Sequence, residues 1–207
     1  TSSTFAAITL RHDLTEFLSQ LQLIGIDPDM VTIEPWAIGQ LLRRSTLKEL
    51  EGGVVCVIDL GHRTPSIDIL LAESPLISHV APYGGHDVTH SLAQKLQISY
   101  DEAEKVKTDH GFLITEAHRK NPQEIITPDQ EEFSEIIRSS LSPIVREIKQ
   151  TLMAYKSRFR VPPRAMLITG GTSQIPNLHI FLEEIFQIRV YSMTYMSSVV
   201  GQTLQLS

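Results

Sequence analysis

The stretch VVCVIDLGHRTPSIDIL, Val54–Leu70, decides the fold of this chain. A run rich in β-branched residues leads directly into Asp59-Leu60-Gly61, and a second apolar run follows within a few positions. Because β-branched side chains favour strands and glycine favours turns, this pattern predicts a β-hairpin. The turn presents a carboxylate and a glycine, which is compatible both with a phosphate and metal site and with an ordinary tight turn.

The composition is that of a globular protein without a nucleic-acid surface. The chain has 207 residues, of which 42% are hydrophobic and 20% charged, and a formal net charge of −6. Binding to a phosphate backbone requires clustered Lys and Arg. Arg43-Arg44 and Arg158-Phe159-Arg160 are too short to form such a cluster. We therefore predict no nucleic-acid partner.

Cysteine usage and hydrophobicity predict a cytoplasmic protein. The one cysteine, Cys56, lies inside an apolar run and is expected to be buried, and it cannot form an internal disulfide. No apolar run approaches the roughly 20 residues that span a bilayer, and no signal peptide is visible.

Strands alternate with helices along the chain, which predicts an α/β domain with a mixed sheet. Besides the hairpin, strands are expected at Phe5–Leu10, Met30–Ile33, Leu76–Ala81, Ala165–Thr169 and Ile188–Tyr191. Helices are expected from Asp13 to about Ile24, from Pro35, at Asp87–Leu96, at Tyr100–His110 after Ser99, from Asp129 to Arg158 with a kink at Pro143, at Ile175–Phe186 and at Met196–Leu204. Residues 115–128 are polar and are expected to form a loop.

Three glycine turns are candidates for a phosphate cradle, because glycine lets backbone N–H groups converge on one point. They are Asp59-Leu60-Gly61, Gly84-Gly85 ahead of a helix, and Gly170-Gly171-Thr172 between a strand and a helix. A helix N-terminus adds partial positive charge to such a turn. Each turn taken singly is more often an ordinary turn than a site, so their order and spacing must decide.

That order resembles the actin-like ATPase superfamily. MLITGGTSQIPNLHIFLEEIF, Met166–Phe186, looks like the adenosine motif of DnaK-type chaperones. VTIEPWAIGQLL, Val31–Leu42, looks like the first interdomain connector, and the opening hairpin stands where the second phosphate hairpin is expected. The segment Pro82–Phe112 is similar to FtsA, the cell-division member, and closer still to PilM of type IV pilus assembly.

The resemblance implies a nucleotide site for ATP or ADP with Mg²⁺. Asp59 matches the acid that holds Mg²⁺, and Glu34, the candidate catalytic residue, falls at the connector near where the superfamily places the residue that orients the attacking water. The resemblance assigns the phosphates to Gly61 and Thr64, the ribose and adenine to Glu104 and Lys107, and the turn beneath the adenosine to Gly170, Gly171 and Thr172. Gly84 and Gly85, the glycine turn ahead of a helix, are further candidates for binding the cofactor. It implies at most a slow Mg-dependent ATPase.

The resemblance also implies partners and a domain plan. A PilM-like protein would bind a short cytoplasmic segment of an inner-membrane assembly protein, connect it to a motor ATPase, associate with the membrane through partners, and self-associate. The actin-like, ribonuclease-H-like fold would lack its N-terminal part here. Residues 1–47 would be a remnant of the first subdomain with the connector helix, residues 48–192 the second domain with a helical insertion at about 84–128, and residues 193–207 a returning C-terminal helix.

One sequence departure favours an alternative. His62-Arg63 replaces the small residues usual after the first glycine of the hairpin, and Pro65 replaces a threonine. A side chain with a Cβ takes the backbone conformations of glycine less readily, so this loop closes less easily around phosphate. This difference favours a scaffold like the cytoplasmic domain of GspL, which binds a secretion ATPase without nucleotide chemistry. A chaperone-type or FtsA-type ATPase ranks third.

Overall fold

A computed structural model describes residues 6–43, 50, 52–72, 74–121, 123 and 125–193. These residues form a five-stranded sheet flanked by helices. The strands are β1 (Val54–Asp59), β2 (Ser66–Leu71), β3 (Ser74–Val80), β4 (Ala165–Thr169) and β5 (Arg189–Ser192). The helices are α1 (Arg11–Leu23), α2 (Glu34–Arg43), α3 (Gly85–Leu96), α4 (Tyr100–His110), α5 (Glu116–Lys120), α6 (Pro128–Ser140), α7 (Ser142–Phe159) and α8 (Leu178–Phe186).

The sheet is mixed, with strand order β3-β2-β1-β4-β5. Strand β1 lies in the centre, antiparallel to β2 and parallel to β4. Strands β1 and β4 therefore end at the same edge of the sheet. The mixed α/β fold predicted from the sequence is confirmed.

The central strands of the sheet are buried on both faces, which explains the continuous apolar run of β1. Val54, Cys56 and Ile58 belong to the larger core cluster, which includes residues of α3, α7 and α8. Val55 and Val57 point to the opposite face and pack in a smaller cluster that includes Leu42 of α2. Alternate residues of β1 thus contact opposite layers, as the two-residue period of a strand requires.

Most predicted elements after residue 50 are confirmed, including the hairpin and the helices α3 and α4. Ser99 caps α4: its Oγ accepts from the Glu102 N–H at 3.3 Å, and the Glu102 carboxylate accepts from the Ser99 N–H at 3.0 Å. Such a reciprocal pair satisfies two N–H groups that have no partner inside the helix.

Four predictions about secondary structure are wrong. Residues 6–10 and 30–33 form no strand, because an apolar segment becomes a strand only when another strand pairs with it. The predicted loop 115–128 contains the short helix α5. The predicted long helix is two helices divided at Leu141, since Pro143 occupies the first turn of α7, where its missing N–H is not needed.

The predicted C-terminal helix Met196–Leu204 lies entirely outside the described residues, and of the segment 193–207 only Met193 is described. Within the described ranges, no helix is both long enough and apolar enough to cross a membrane.

Candidate functional site

Two loops meet at the edge of the sheet where the parallel strands β1 and β4 end. The N–H of Leu60 donates to the carbonyl of Thr169 at 2.8 Å, and the N–H of Thr172 donates to the carbonyl of Leu60 at 3.0 Å. These bonds place the 3₁₀ turn Gly171–Gln174 against the β1–β2 loop. Ligands of open α/β sheets bind at this kind of edge, outside the carboxyl ends of the strands.

The start of α3 is attached to the same loop. The N–H of Gly85 donates to the carbonyl of Gly61 at 3.0 Å, and the N–H of His86 donates to the carbonyl of His62 at 2.7 Å. A Cβ on Gly85 would lie 2.3 Å from Thr172 Oγ1. The three glycine turns singled out in the sequence therefore meet in one place.

Gly84 allows this close approach, because a Cβ there would lie 2.5 Å from the carbonyl oxygen of His62. Its N–H donates to Asp87 Oδ2 at 2.7 Å. The amides of Gly84, Gly85 and His86 are thus all bonded within the protein. In this conformation the helix N-terminus binds the hairpin rather than presenting free N–H groups.

Two features of the structure favour glycine at position 170. Its φ of +86° lies in the region that favours glycine, and a Cβ would lie 2.2 Å from Asp59 Oδ1. This oxygen of Asp59 is buried and has no hydrogen-bond partner among the residues that the structure describes. Because a buried carboxylate oxygen is normally paired, the unused acceptor marks Asp59 as a residue with capacity for a cation or a bound water.

Sequence reasoning missed a second acid near Asp59. Asp68 is fully buried on β2 and accepts from Ser66 Oγ at 2.8 Å through one oxygen, while its other oxygen has no hydrogen-bond partner in the described part of the chain. Ser66 also lies 3.5 Å from Glu34 Oε1. The available signal was a charged residue between Ile67 and Ile69, inside an apolar strand.

These carboxylates perturb one another. Glu34 is exposed as a residue at the start of α2, but its carboxyl end turns inward. Partial burial, followed by the nearby charges of Asp59 and Asp68, raises the pKa of Glu34 to about 7. Burial likewise raises the pKa of Asp68. The cluster therefore favours a retained proton or a bound cation, since like charges in a poorly solvated site destabilise one another.

The predicted pair Glu104 and Lys107 lies beside the glycine turns. Lys107 is 7% exposed, and its ammonium donates to Thr89 Oγ1 at 2.7 Å, to Glu104 Oε2 at 2.8 Å and to the carbonyl of Gly85 at 3.3 Å. Burial works against ionised Glu104, but bonds from Lys107 and Thr89 outweigh it and lower its pKa. Sequence reasoning missed Thr89, one helical turn after Gly85.

A small pocket of about 170 Å³ lies between α4 and the turn that follows β4. Its lining brings together residues predicted to meet the adenosine. The lining residues are Lys107, Thr108, Gly171, Thr172 and Gln174–Pro176. Gly171 of this lining follows Gly170, which lies against Asp59, so the turn after β4 connects the cavity with that acid.

The rest of the hairpin loop faces outward. His62, Arg63 and Thr64 are exposed, and the His62 ring lies edge-on to His86 with the ring centroids 5.4 Å apart. Thr64 is thus in the same loop as Asp59 and Gly61 without contributing to the buried contacts.

The residues at this edge fit a hydrated divalent cation better than a cation bound by protein alone. No three His, Cys, Asp or Glu of the described ranges are arranged to bind a metal ion by themselves. Asp59 offers one hard oxygen ligand, and Mg²⁺ commonly takes only one or two carboxylates together with water and phosphate oxygens.

Comparison with solved structures identifies the class of fold. The chain superposes on the PilM–PilN type IV pilus biogenesis complex with a TM-score of 0.65 and 21% identity, covering 86% of this chain and 46% of that one. It superposes on MreB5 of Spiroplasma citri bound to AMPPNP with a TM-score of 0.66 and 15% identity, covering 95% and 66%. The fold is therefore actin-like.

Sequence comparison identifies the family within that class. The sequence profile of the Cell division protein FtsA matches residues 56–202, so the chain belongs to the FtsA family. FtsA of Neisseria meningitidis is 24% identical over 180 residues, which cover 82% of this chain but only 42% of that protein. The predicted superfamily is confirmed, whereas the family match favours FtsA, which the sequence analysis had ranked below PilM.

Proposed function

We propose that this chain binds ATP or ADP at the edge of the sheet where the three glycine turns meet, and that it acts as an actin-like assembly protein. One observation carries the proposal: the turn that lines the pocket with Gly171 and Thr172 also packs through Gly170 against Asp59, whose buried Oδ1 has no partner among the described residues. Such a pocket could hold the base of a nucleotide, and the unused oxygen of Asp59 could hold the metal ion that accompanies its phosphates.

The adenosine would occupy the pocket between α4 and the turn after β4. A volume of about 170 Å³ is below the range of pockets for whole drug-sized ligands, so it suits a base and leaves the phosphates outside. Glu104 and Lys107 are tied to each other and to Thr89. They would therefore form a rigid wall beside the ribose and adenine.

The phosphates would lie along the β1–β2 loop, near Asp59, Gly61, Thr64 and the Gly84-Gly85 turn. Asp59 would bind Mg²⁺ through water, and the ion would supply positive charge to the phosphate oxygens. Glu34 would orient the attacking water. Because its pKa is about 7, Glu34 is in part protonated near neutral pH, which fits a slow hydrolysis.

Family membership supports the proposed assembly role. Relatives are named as cell division proteins, and the chain spans 42% of the length of the Neisseria relative. We propose an assembly protein of the cell-division class that reaches the inner membrane through a short cytoplasmic segment of a partner and self-associates. Within it, residues 48–192 would be the nucleotide-binding domain, with the helical insertion at about 84–128.

A scaffold without nucleotide chemistry is the second candidate. The amides of Gly84, Gly85 and His86 and the ammonium of Lys107 are already bonded within the protein. A GspL-like domain that binds a secretion ATPase would need none of them free. A PilM-like pilus assembly protein shares the nucleotide prediction, and it differs in its motor ATPase partner.

Calorimetric titration of the full-length protein with ATP and Mg²⁺ tests the first candidate against the scaffold. We expect one-to-one binding, and we expect Asp59→Ala to abolish the contribution of Mg²⁺. Asp129→Ala, at an exposed position in the first turn of α6, is the matched control and should bind like the wild type. Absence of heat would favour the scaffold, and an Asp59→Ala protein with unchanged Mg·ATP affinity would remove Asp59 from the site.

Depletion in the source organism separates cell division from pilus assembly. Filamentous cells that fail to divide would support the cell-division role. Normal division with loss of surface pili would support the PilM-like role instead.

A further inference from the structure

Three histidines lie side by side at the start of α3. The ring of His62, in the β1–β2 loop, lies 5.4 Å from that of His86 between centroids, and the His86 ring lies 6.2 Å from that of His90, one helical turn further along. His62 and His90 are exposed, and His86 is half-buried. In the described part of the chain, no hydrogen bond reaches the ring nitrogens of His62 or His90. We call these three residues the histidine cluster.

A hydrogen bond from a neighbouring helix orients the central ring of the cluster. The hydroxyl of Tyr100, in α4, lies 2.9 Å from Nδ1 of His86. Because a hydroxyl can either donate or accept, this bond persists when the imidazole gains a proton. Nε2 of His86 takes no part in this bond and is a donor whenever the ring is charged.

The cluster adjoins the region where the phosphates of the proposed nucleotide would lie. Thr172 lines the pocket, and a Cβ on Gly85 would lie 2.3 Å from its Oγ1 and 3.7 Å from the Cα of His62. Phosphates that leave the pocket past Gly85 would therefore meet His62 on the hairpin and His86 on α3. The backbone amides at this corner and the ammonium of Lys107 are already bonded within the protein. The imidazoles are thus the donors that a phosphate would meet there.

Charged groups on the neighbouring elements act on the cluster in both directions. Arg63 in the loop and Lys107 on α4 oppose a positive charge on the rings. Asp87 on α3 and Glu104 on α4 favour it, and the charges of Glu104 and His62 are close enough to interact. Both acids already accept hydrogen bonds within the protein, Asp87 from a backbone N–H and Glu104 from Lys107.

Helix α6 also packs against α3, but its acids lie elsewhere. Glu131, Glu132 and Glu135 line a groove together with Lys95, near the C-terminal end of α3. They therefore face the far end of α3 rather than the cluster. A polyphosphate with several negative charges would be the strongest new partner that charged imidazoles at this corner can gain.

We propose that the histidine cluster binds the terminal phosphates of the nucleotide and takes up protons on binding, so that nucleotide affinity rises as the pH falls. This inference rests on the proposed nucleotide site. Histidine is the side chain that changes charge between about pH 5 and pH 8. A group whose pKa rises on binding takes up protons, and its contribution to affinity is lost as the pH rises. Because a triphosphate reaches further along the hairpin than a diphosphate, the effect should be larger for ATP than for ADP.

Calorimetric titration of the full-length protein with ATP and Mg²⁺ at about pH 6 and about pH 8 tests this proposal. Running each titration in two buffers of different ionisation enthalpy gives the number of protons taken up per nucleotide. The comparison is with the triple variant His62→Gln, His86→Gln, His90→Gln, since the titration of ATP itself is then common to both proteins. The ratio of wild-type to variant affinity should be at least about fivefold higher at the lower pH, because a pKa rise of one unit is worth about tenfold.

A control variant and a second measurement keep the test independent of folding. His12→Gln, at an exposed position of α1, should behave like the wild type. Circular dichroism reports whether the triple variant folds. Nuclear magnetic resonance of the imidazole Hε1 protons needs no variant: the titration midpoints of the cluster should rise when ATP is bound, whereas that of His12 should stay unchanged.

Two results would overturn the proposal while leaving the nucleotide site in place. One is an equal pH dependence of ATP affinity in the wild type and the folded triple variant. The other is a set of cluster midpoints that do not move when ATP binds. Absence of ATP binding at every pH would overturn both this inference and the proposed function.

Discussion

Replacing Gly170 by alanine should destabilise the protein strongly, because this glycine lies where the turn after β4 contacts the end of β1. Its backbone has φ +86° and ψ 166°, a combination that is essentially restricted to glycine. The added Cβ would lie 2.2 Å from Asp59 Oδ1 and 2.7 Å from the carbonyl carbon of Leu60. Both the backbone and the packing would have to shift.

The two effects can be added approximately. A residue with a Cβ in a sparsely populated backbone region costs about 1–3 kcal/mol. Overpacking against a backbone atom that cannot move freely costs roughly another 1–3 kcal/mol. We therefore expect a loss of about 4 kcal/mol in the free energy of unfolding, near the middle of the combined range. For a chain of this size that lowers the melting temperature by roughly 10 °C.

Gly171→Ala is the matched control, one residue further along. A Cβ at Gly171 meets no atom within 4 Å, so we expect its unfolding free energy to stay within about 1 kcal/mol of the wild type. Urea unfolding followed by circular dichroism measures both variants. Equal stability of Gly170→Ala and Gly171→Ala would refute the reasoning, because the turn would then not lie against Asp59 and Leu60.

Three further predictions concern buried or partly buried ionisable groups. Folding raises the pKa of Glu34 from 4.5 to about 7, so protonated Glu34 stabilises the fold and this contribution is lost as the pH rises through that interval. As the pH rises from about 5 to about 8, the urea midpoint of the wild type should therefore fall, and that of Glu34→Gln should fall less. Equal dependence of the two midpoints on pH would contradict the carboxylate cluster around Glu34. Lys107→Met removes three hydrogen bonds and leaves Glu104 with only the bond from Thr89, which should cost about 1–3 kcal/mol in the same assay; an unchanged midpoint would show that the network does not contribute. Burial raises the pKa of Cys56 to about 12, so its thiol should react with Ellman's reagent only after unfolding, and rapid labelling of the native protein would count against the buried position of β1.

Local sequence signals predicted the central elements well. The β-branched run before Asp59 and the glycine after it fixed the hairpin, and Ser99 followed by Glu102 marked the start of α4. Residues 6–10 and 30–33 resemble strands equally well in composition, yet no strand of the described residues pairs with them. Strand formation depends on a partner, and a single segment of sequence carries no information about that partner.

The candidate site was predicted only in outline. Order and spacing of the glycine turns, read through the family resemblance, correctly anticipated that Gly61, Gly85 and Gly170 meet. The sequence did not reveal that the amides at the start of α3 bond to the hairpin carbonyls, because this bonding depends on how the two elements dock. Asp68 was missed for a related reason: its role depends on being fully buried next to Ser66.

Nuclear magnetic resonance titration of the isotopically labelled protein with ATP and Mg²⁺ tests most directly whether the glycine turns form one nucleotide site. We predict that the backbone amide signals of Gly61, Gly85 and Gly171 shift together and give one dissociation constant. Signals of α7, such as that of Lys149, should stay in place. Shifts confined to other surfaces, or no shift at saturating ATP, would contradict the account.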